Sequence, residues 1–370
     1  MSRLVPEQVR MRYHSLDSLR FVAACGVMLF HYQDYLPWLS GPRTGLSRNA
    51  YLMVDFFFIL SGFVIHQTYS ARMASVGDYF VYLRRRLARI YPLHLATFLF
   101  MAGMGVVIAF SGVDVHHMAR FRLSAVLPNL LLLHAWGVEG WSSSTLSFNG
   151  PSWSISAEFG VYLIFPLLLM MQRRVQPWLW FAFAGCLIFL NMRLRELLGL
   201  DGWTLATWDF GVIRAIPSFV FGMGISALVQ RRVVRVRSSI AYCTMAVLVI
   251  MMQAGVDDTY IVLMFVPVIW LAANADATGS LALLKRPSFV RLGEASYSVY
   301  MLHQCVALVI LQMCRKLFGP APVAMTIAVV VCLVFTTALS LWVYAHFELP
   351  ARLRLSGRRP ANSVEKLAEV

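Results

Sequence analysis

The sequence predicts an all-α, polytopic membrane helical bundle, with about ten transmembrane helices plus one short re-entrant or interfacial segment. Three observations lead there. The 370 residues are 59% hydrophobic and only 14% charged, with mean hydropathy +0.66, whereas a soluble chain carries about a quarter charged residues. Apolar runs long enough to span a bilayer recur from end to end. The basic residues sit in short clusters between those runs. That distribution turns the net charge of +14 into a footprint of topology and of an anionic leaflet. It names membrane lipids as partners and excludes nucleic acid.

The basic clusters are Arg3/Arg10/Arg12, Arg72 to Arg89, Arg173/Arg174, Arg231 to Arg237, Lys285 to Arg291 and Arg352 to Arg359. If each marks the cytoplasmic side, every interval between them holds an even number of spans. The expected spans are 18–36 and 50–70, then 90–112 and 153–171, then 177–198 and 209–229, then 238–254 and 257–275, and last 296–316 and 322–346. Both termini are then cytoplasmic. Leu123 to Trp136 is apolar but short and carries Pro128, so it reads as the re-entrant or interfacial piece. Residues 1–355 form one transmembrane domain and 356–370 a polar cytoplasmic tail. No internal repeat and no soluble catalytic domain are apparent, so any chemistry belongs in or at the membrane.

The six cysteines, Cys25, Cys186, Cys243, Cys305, Cys314 and Cys332, all lie in apolar segments with no CxxC among them. They read as buried spectator thiols. No metal site is expected; the adjacent His116 and His117 do not share a helix face. Signal cleavage is not expected either, because no small-residue site follows at the right distance. Asp17 and Arg20 interrupt the stretch that a lipoprotein box at Val22–Cys25 would need.

The first span holds the most informative pattern, since ionisable residues inside a membrane are costly. Arg20 and His31 are eleven residues apart, which puts them on nearly one helix face about 16 Å apart along the axis. Asp17 lies one turn before Arg20, and Asp34 about one turn after His31. A neutral imidazole there can act as a general base. In the second span, Asp55 falls in the same outer half as His31, and Ser61-Gly62 makes a small-residue notch. Helix packing alone accounts for the notch, though a ligand chain would also fit it. Arg85, Arg86 and Arg89 share a face on a segment leading into the third span. Topology anchoring explains most of that cluster, and a phosphate-rich cytosolic ligand would suit it equally. Glu158 is an acid in the outer half of its span, either structurally paired or holding a histidine tautomer. His303 by itself reads as a satisfied core histidine, and Asp209 with Arg214 as an internal pair. No phosphate-binding glycine loop, HExxH or GxSxG occurs.

Taken together, six segments resemble the acyltransferase family 3 of integral-membrane O-acyltransferases, over about Ser15 to Arg354. They are Leu16-Asp17-Ser18-Leu19-Arg20 with the Arg20 to His31 spacing, Met53 to Phe63, Arg85 to Pro92, Trp153 to Glu158, Tyr297 to His303, and Glu348 to Arg352. Met53 departs from the glycine usual in such proteins. The resemblance implies an enzyme that moves an acyl group, expected to be acetyl, from acyl-CoA to a hydroxyl of a carbohydrate or glycosylated small-molecule acceptor. Acyl-CoA is then a co-substrate, with no metal. The resemblance also implies a bacterial cytoplasmic (inner) membrane protein. It places His31, Glu158, Asp55 and Arg20 in the catalytic set, and Arg20, Ser61, Arg85, Arg86, Arg89 and His303 in the donor-binding set. In this reading the phosphates sit on Arg85, Arg86 and Arg89, and the pantetheine arm passes the Ser61-Gly62 notch. His31, oriented by Glu158, Asp55 or Asp34, removes the acceptor proton. A transient acyl group on His31 is a variant of this route. The same buried charges would also suit a proton relay in a glycan or metabolite transporter, although such proteins often show repeated halves.

Overall fold

The computed structural model describes residues 12–36, 45–111, 123–138 and 148–357, and among these it contains helices and no strand. Fourteen helices follow one another: α1 (His14–Tyr32), α2 (Gly45–Asn49), α3 (Met53–Tyr69), α4 (Val76–Ser111), α5 (Val126–Leu130), α6 (Ser152–Gln172), α7 (Pro177–Leu197), α8 (Gly211–Arg231), α9 (Ser238–Ala254), α10 (Asp258–Ala277), α11 (Pro287–Glu294), α12 (Ser296–Phe318), α13 (Pro322–Val343) and α14 (Leu349–Leu355). Eight of the described helices are long and apolar enough to cross a membrane, among them a continuous run over Pro322–Leu355. Helices also fill the remaining two expected spans. These are α1, which carries Asp17, Arg20 and His31, and the shorter apolar α9.

Local chemistry accounts for the ends. Proline opens α7, α11 and α13, where its missing N–H is no loss. Asp257 caps α10 by accepting from the Thr259 N–H at 2.9 Å. Gly255 closes α9 with φ +68°. Pro92, Pro166, Pro217 and Pro267 lie inside α4, α6, α8 and α10, as membrane helices tolerate.

The third expected span starts earlier than its hydropathy suggests. Helix α4 begins at Val76, so the arginine cluster is built into the helix rather than leading up to it. Leu123 to Trp136 is no full span: a 3-10 turn and the five-residue α5 are followed by turns, with His134 and Ala135 wholly buried. Residues 1–11, 37–44, 112–122, 139–147 and the tail from 358, with His116 and His117, fall outside the described residues.

Two contacts set the bundle's centre. A Cβ on Gly62 of α3 would lie 2.0 Å from the Phe219 carbonyl oxygen of α8, and one on Gly222 of α8 would lie 1.9 Å from the Ile59 carbonyl oxygen. The two backbones therefore touch, in the small-residue manner of membrane helices. Likewise Gly293 of α11 abuts the Asp17 carbonyl of α1. Met53 packs its Cγ against Gly26 of α1, which gives the unusual methionine a place. The described cysteines are all free. Large apolar side chains such as Phe110, Leu197 and Val334 are exposed on the outside, the surface that lipid would cover.

Candidate active site

A cavity opens between α1, α3, α4, α6 and α12. Arg20 reaches it from α1, Ser61 from α3, Arg86 and Arg89 from α4, and Glu158 from α6. Tyr297 and Tyr300 line it from α12. Helical spacing explains the convergence: Arg86 and Arg89 lie three residues apart, and Tyr297 and Tyr300 likewise.

Each charged group in the cavity is held from behind. Arg20 sits 3.7 Å from Asp17, which also pairs with Arg12. Arg86 lies over the Tyr69 ring, 5.3 Å from its centre. Arg89 stands 3.9 Å from Glu348, whose other oxygen accepts from the Ser298 hydroxyl at 2.6 Å. Glu348 ends a π-helical turn, Tyr344–Glu348, between α13 and α14, and such turns recur at functional sites. The Ser61 hydroxyl donates to Glu158 at 2.5 Å. Three guanidiniums thus share the cavity wall with one carboxylate, a surplus of positive charge suited to an anionic ligand.

The histidines lie just beyond. His31 of α1 and His303 of α12 stack with ring centres 5.1 Å apart. The His303 Nδ1–H donates to the Tyr300 carbonyl at 2.6 Å, and its Nε2 is buried without a hydrogen-bond partner. The Tyr300 ring lies 6.0 Å from His303 and 5.8 Å from the Phe57 ring. Phe57 and Tyr300 both line the cavity, so this aromatic pair stands between the arginines and the histidines.

Several expected partnerships are not formed. Asp55 does not meet His31. It is wholly buried and bonded to Arg214 at 2.6 Å, with Ser218 donating to its second oxygen at 3.2 Å. A buried guanidinium needs a carboxylate, and Arg214, flanked by Trp153 at 5.2 Å and Tyr51 at 5.7 Å, takes this one. The Asp209–Arg214 pair is therefore absent; Asp209 bonds Arg195 at 2.8 Å instead. Glu158 lies with the arginines and Ser61, not at His31. Among the described residues His31 forms no ion pair; the Gln304 amide is 3.2 Å from its Nδ1. Arg85, though adjacent to Arg86, does not line the cavity. The notch divides: Ser61 faces the cavity, while Gly62 is filled by α8 and leaves no room for a ligand chain. Sequence reasoning passed over Gln304, Tyr300 and Glu348 as individual residues. The first two carry a readable signal, since Tyr297, Tyr300 and Gln304 recur at helical spacing.

An apolar helical bundle with an arginine-lined cavity, and a stacked histidine pair that meets the cavity-lining Tyr300 ring, has the parts of an integral-membrane transferase. The chain belongs to the acyltransferase family whose model, described as "Acyltransferase domain", matches residues 13–345. It is 30% identical to "Acyltransferase MdmB" of Streptomyces mycarofaciens, over 79% of this chain and 78% of that protein. It is 26% identical to "Nodulation protein 10" of Rhizobium leguminosarum bv. viciae, over 79% and 82% of the two. A shorter match, 26% identical, covers 44% of this chain and 26% of "O-acetyltransferase OatA" of Staphylococcus aureus. No solved structure matches. The protein is a multi-pass membrane acyltransferase, which uses an acyl donor as co-substrate.

Proposed function

We propose that this enzyme moves an acetyl group from acetyl-CoA to a hydroxyl of a carbohydrate or glycosylated small molecule at the bacterial cytoplasmic membrane, with both termini in the cytoplasm. The observation that carries the reading is the cavity in which Arg20, Arg86 and Arg89 outnumber Glu158, ending at Phe57 and Tyr300 with the histidine pair behind them. A surplus of guanidinium groups suits the phosphates of CoA. The family membership supports an acyl donor, and a relative named as an O-acetyltransferase supports acetyl and an oxygen acceptor.

In this reading the CoA phosphates bind Arg86 and Arg89, and the pantetheine arm runs along Ser61 toward Tyr300. His31 takes the proton from the acceptor hydroxyl. The oxygen attacks the thioester carbonyl, the carbon–sulfur bond breaks, and the CoA thiolate leaves and takes up a proton. Arg20 positions the donor.

Thiol release and transfer of labelled acetyl from acetyl-CoA, measured in proteoliposomes with methyl glycosides as hydroxyl acceptors, test the reading. The wild type should turn over, and His31→Ala should lose at least about 100-fold in kcat, the scale of general-base catalysis. Full activity in His31→Ala removes His31 from the chemistry, and labelled product without thiol release removes CoA.

A further inference from the structure

A histidine acting as a general base needs a partner on its second ring nitrogen, to fix which nitrogen carries the proton. Among the described residues no carboxylate is ion-paired to His31: Asp55 is bonded to Arg214 and Glu158 to Ser61, and no pairing joins Asp34 to the ring. What meets Nδ1 of His31 is the side-chain amide of Gln304, at 3.2 Å. Three features hold that amide. Helix α12 delivers it one residue beyond His303, whose ring stacks on His31. The loop opposite is tied to the same helix, with Asn149 Nδ2 donating to the Met301 carbonyl at 3.0 Å. The next residue of that loop is Gly150, where a Cβ would stand 2.7 Å from Gln304 Oε1. A glycine is what lets the amide lie between the loop backbone and the imidazole.

We propose that Gln304 is the positioning residue of His31, a neutral amide in the place where many catalytic histidines have a carboxylate. The proposal rests on His31 being the general base. An amide carries a donor and an acceptor on one planar group, so it serves either tautomer. The structure has the amide N–H toward Nδ1, which leaves the His31 proton on Nε2; the amide turns over before Nε2 acts as the base. With Oε1 toward Nδ1–H, the Nε2 lone pair is free to accept the acceptor hydroxyl's proton. The imidazolium then keeps its Nδ1–H bond to Oε1 until Nε2 passes its proton to the departing thiolate. Unlike a carboxylate, the amide brings no negative charge, so it orients the ring while stabilising the imidazolium less. The titratable group stacked directly on His31 is the His303 ring of α12.

The test uses the full chain in proteoliposomes, with acetyl-CoA as donor and methyl glycosides as acceptor probes. Gln304→Ala should lower kcat by about 10- to 100-fold, the scale of a lost orienting hydrogen bond, while KM for acetyl-CoA stays within about 2-fold. Gln304→Glu should retain turnover and move the acid limb of its pH–rate profile to higher pH by about one unit, because a carboxylate favours the imidazolium. Wild-type kcat in Gln304→Ala, or an unshifted profile in Gln304→Glu, overturns the assignment. If Gln304→Ala does not fold, the Gln304→Glu profile decides alone. Should His31→Ala match the wild type, the general-base reading fails first, and with it the premise of this one.

Discussion

Two groups of charges lie inside this bundle, and they are built on opposite plans. Around Asp55 everything is closed. Arg214 engages the carboxylate, Ser218 completes it, aromatic rings cover the guanidinium, and both residues are sealed from solvent. Around Glu158 everything is open. Arg20, Arg86 and Arg89 line a cavity whose wall holds that single acid; Asp17 and Glu348 stand behind Arg20 and Arg89, while the Nε atom of Arg86 is buried without a hydrogen-bond partner. Leaving charges under-compensated in low dielectric is costly, and the cost is tolerated where a ligand supplies the missing partner. In the proposed reading, the site is marked not by buried charge alone but by a guanidinium, Arg86, whose pairing is incomplete.

That contrast can be broken at four points. The largest effect should come from Arg214→Ala, which strands a buried carboxylate and should cost about 3–5 kcal/mol. It would appear as a collapse in thermal stability of the detergent-solubilised protein. Exchanging both partners, Asp55→Leu with Arg214→Leu, should recover most of that loss. A stable Asp55→Asn variant that nevertheless loses kcat would return Asp55 to the catalytic set. Next, Gly62→Ala should destabilise by about 1–3 kcal/mol through overpacking against α8. Ser61→Ala, one residue away, should leave the melting temperature nearly unchanged and act on turnover. Third, Arg89→Ala should raise KM for acetyl-CoA about 10-fold, as expected for one lost charge-assisted bond to phosphate, and should lower stability less than Arg214→Ala, because Glu348 keeps the Ser298 hydroxyl. An unchanged KM would reduce Arg89 to a topology anchor. Smallest should be Arg85→Ala, which lies off the cavity and should change KM by less than about 3-fold; a change as large as that of Arg89→Ala would put Arg85 on the donor path.

What could be read in the sequence divides along the same line. Span-length apolar runs are visible one at a time, and helices occupy all ten expected segments. The stripe on α1 was also legible, because eleven residues close nearly three turns. It runs from Arg20 in the cavity to His31 at the histidine pair. Pairing between helices was not legible. Helices that are apolar all round carry no period to say which face meets which neighbour, so nothing joined Asp55 to Arg214, 159 residues on. The Asp209–Arg214 expectation followed closeness in sequence. Asp209 lies ahead of α8, which begins at Gly211, and Phe210 between them takes a left-handed φ of +66°, so helical spacing does not join the two side chains. Gln304 escaped notice because a neutral amide gives no charge signal, although its spacing from Tyr297 and Tyr300 sets it on their face.

The contact between α3 and α8 has a consequence for how the chain is made. Synthesis delivers α3 well before α8, yet α8 carries both the glycine that lets the backbones touch and the arginine that neutralises Asp55. During that interval the nascent chain holds an acid in an apolar segment at a cost of about 2.5–3.5 kcal/mol, if the segment lies in lipid. The insertion machinery must therefore shelter α3 while more than a hundred further residues emerge. One helix, α8, supplies both the fit and the counter-charge that α3 lacks by itself.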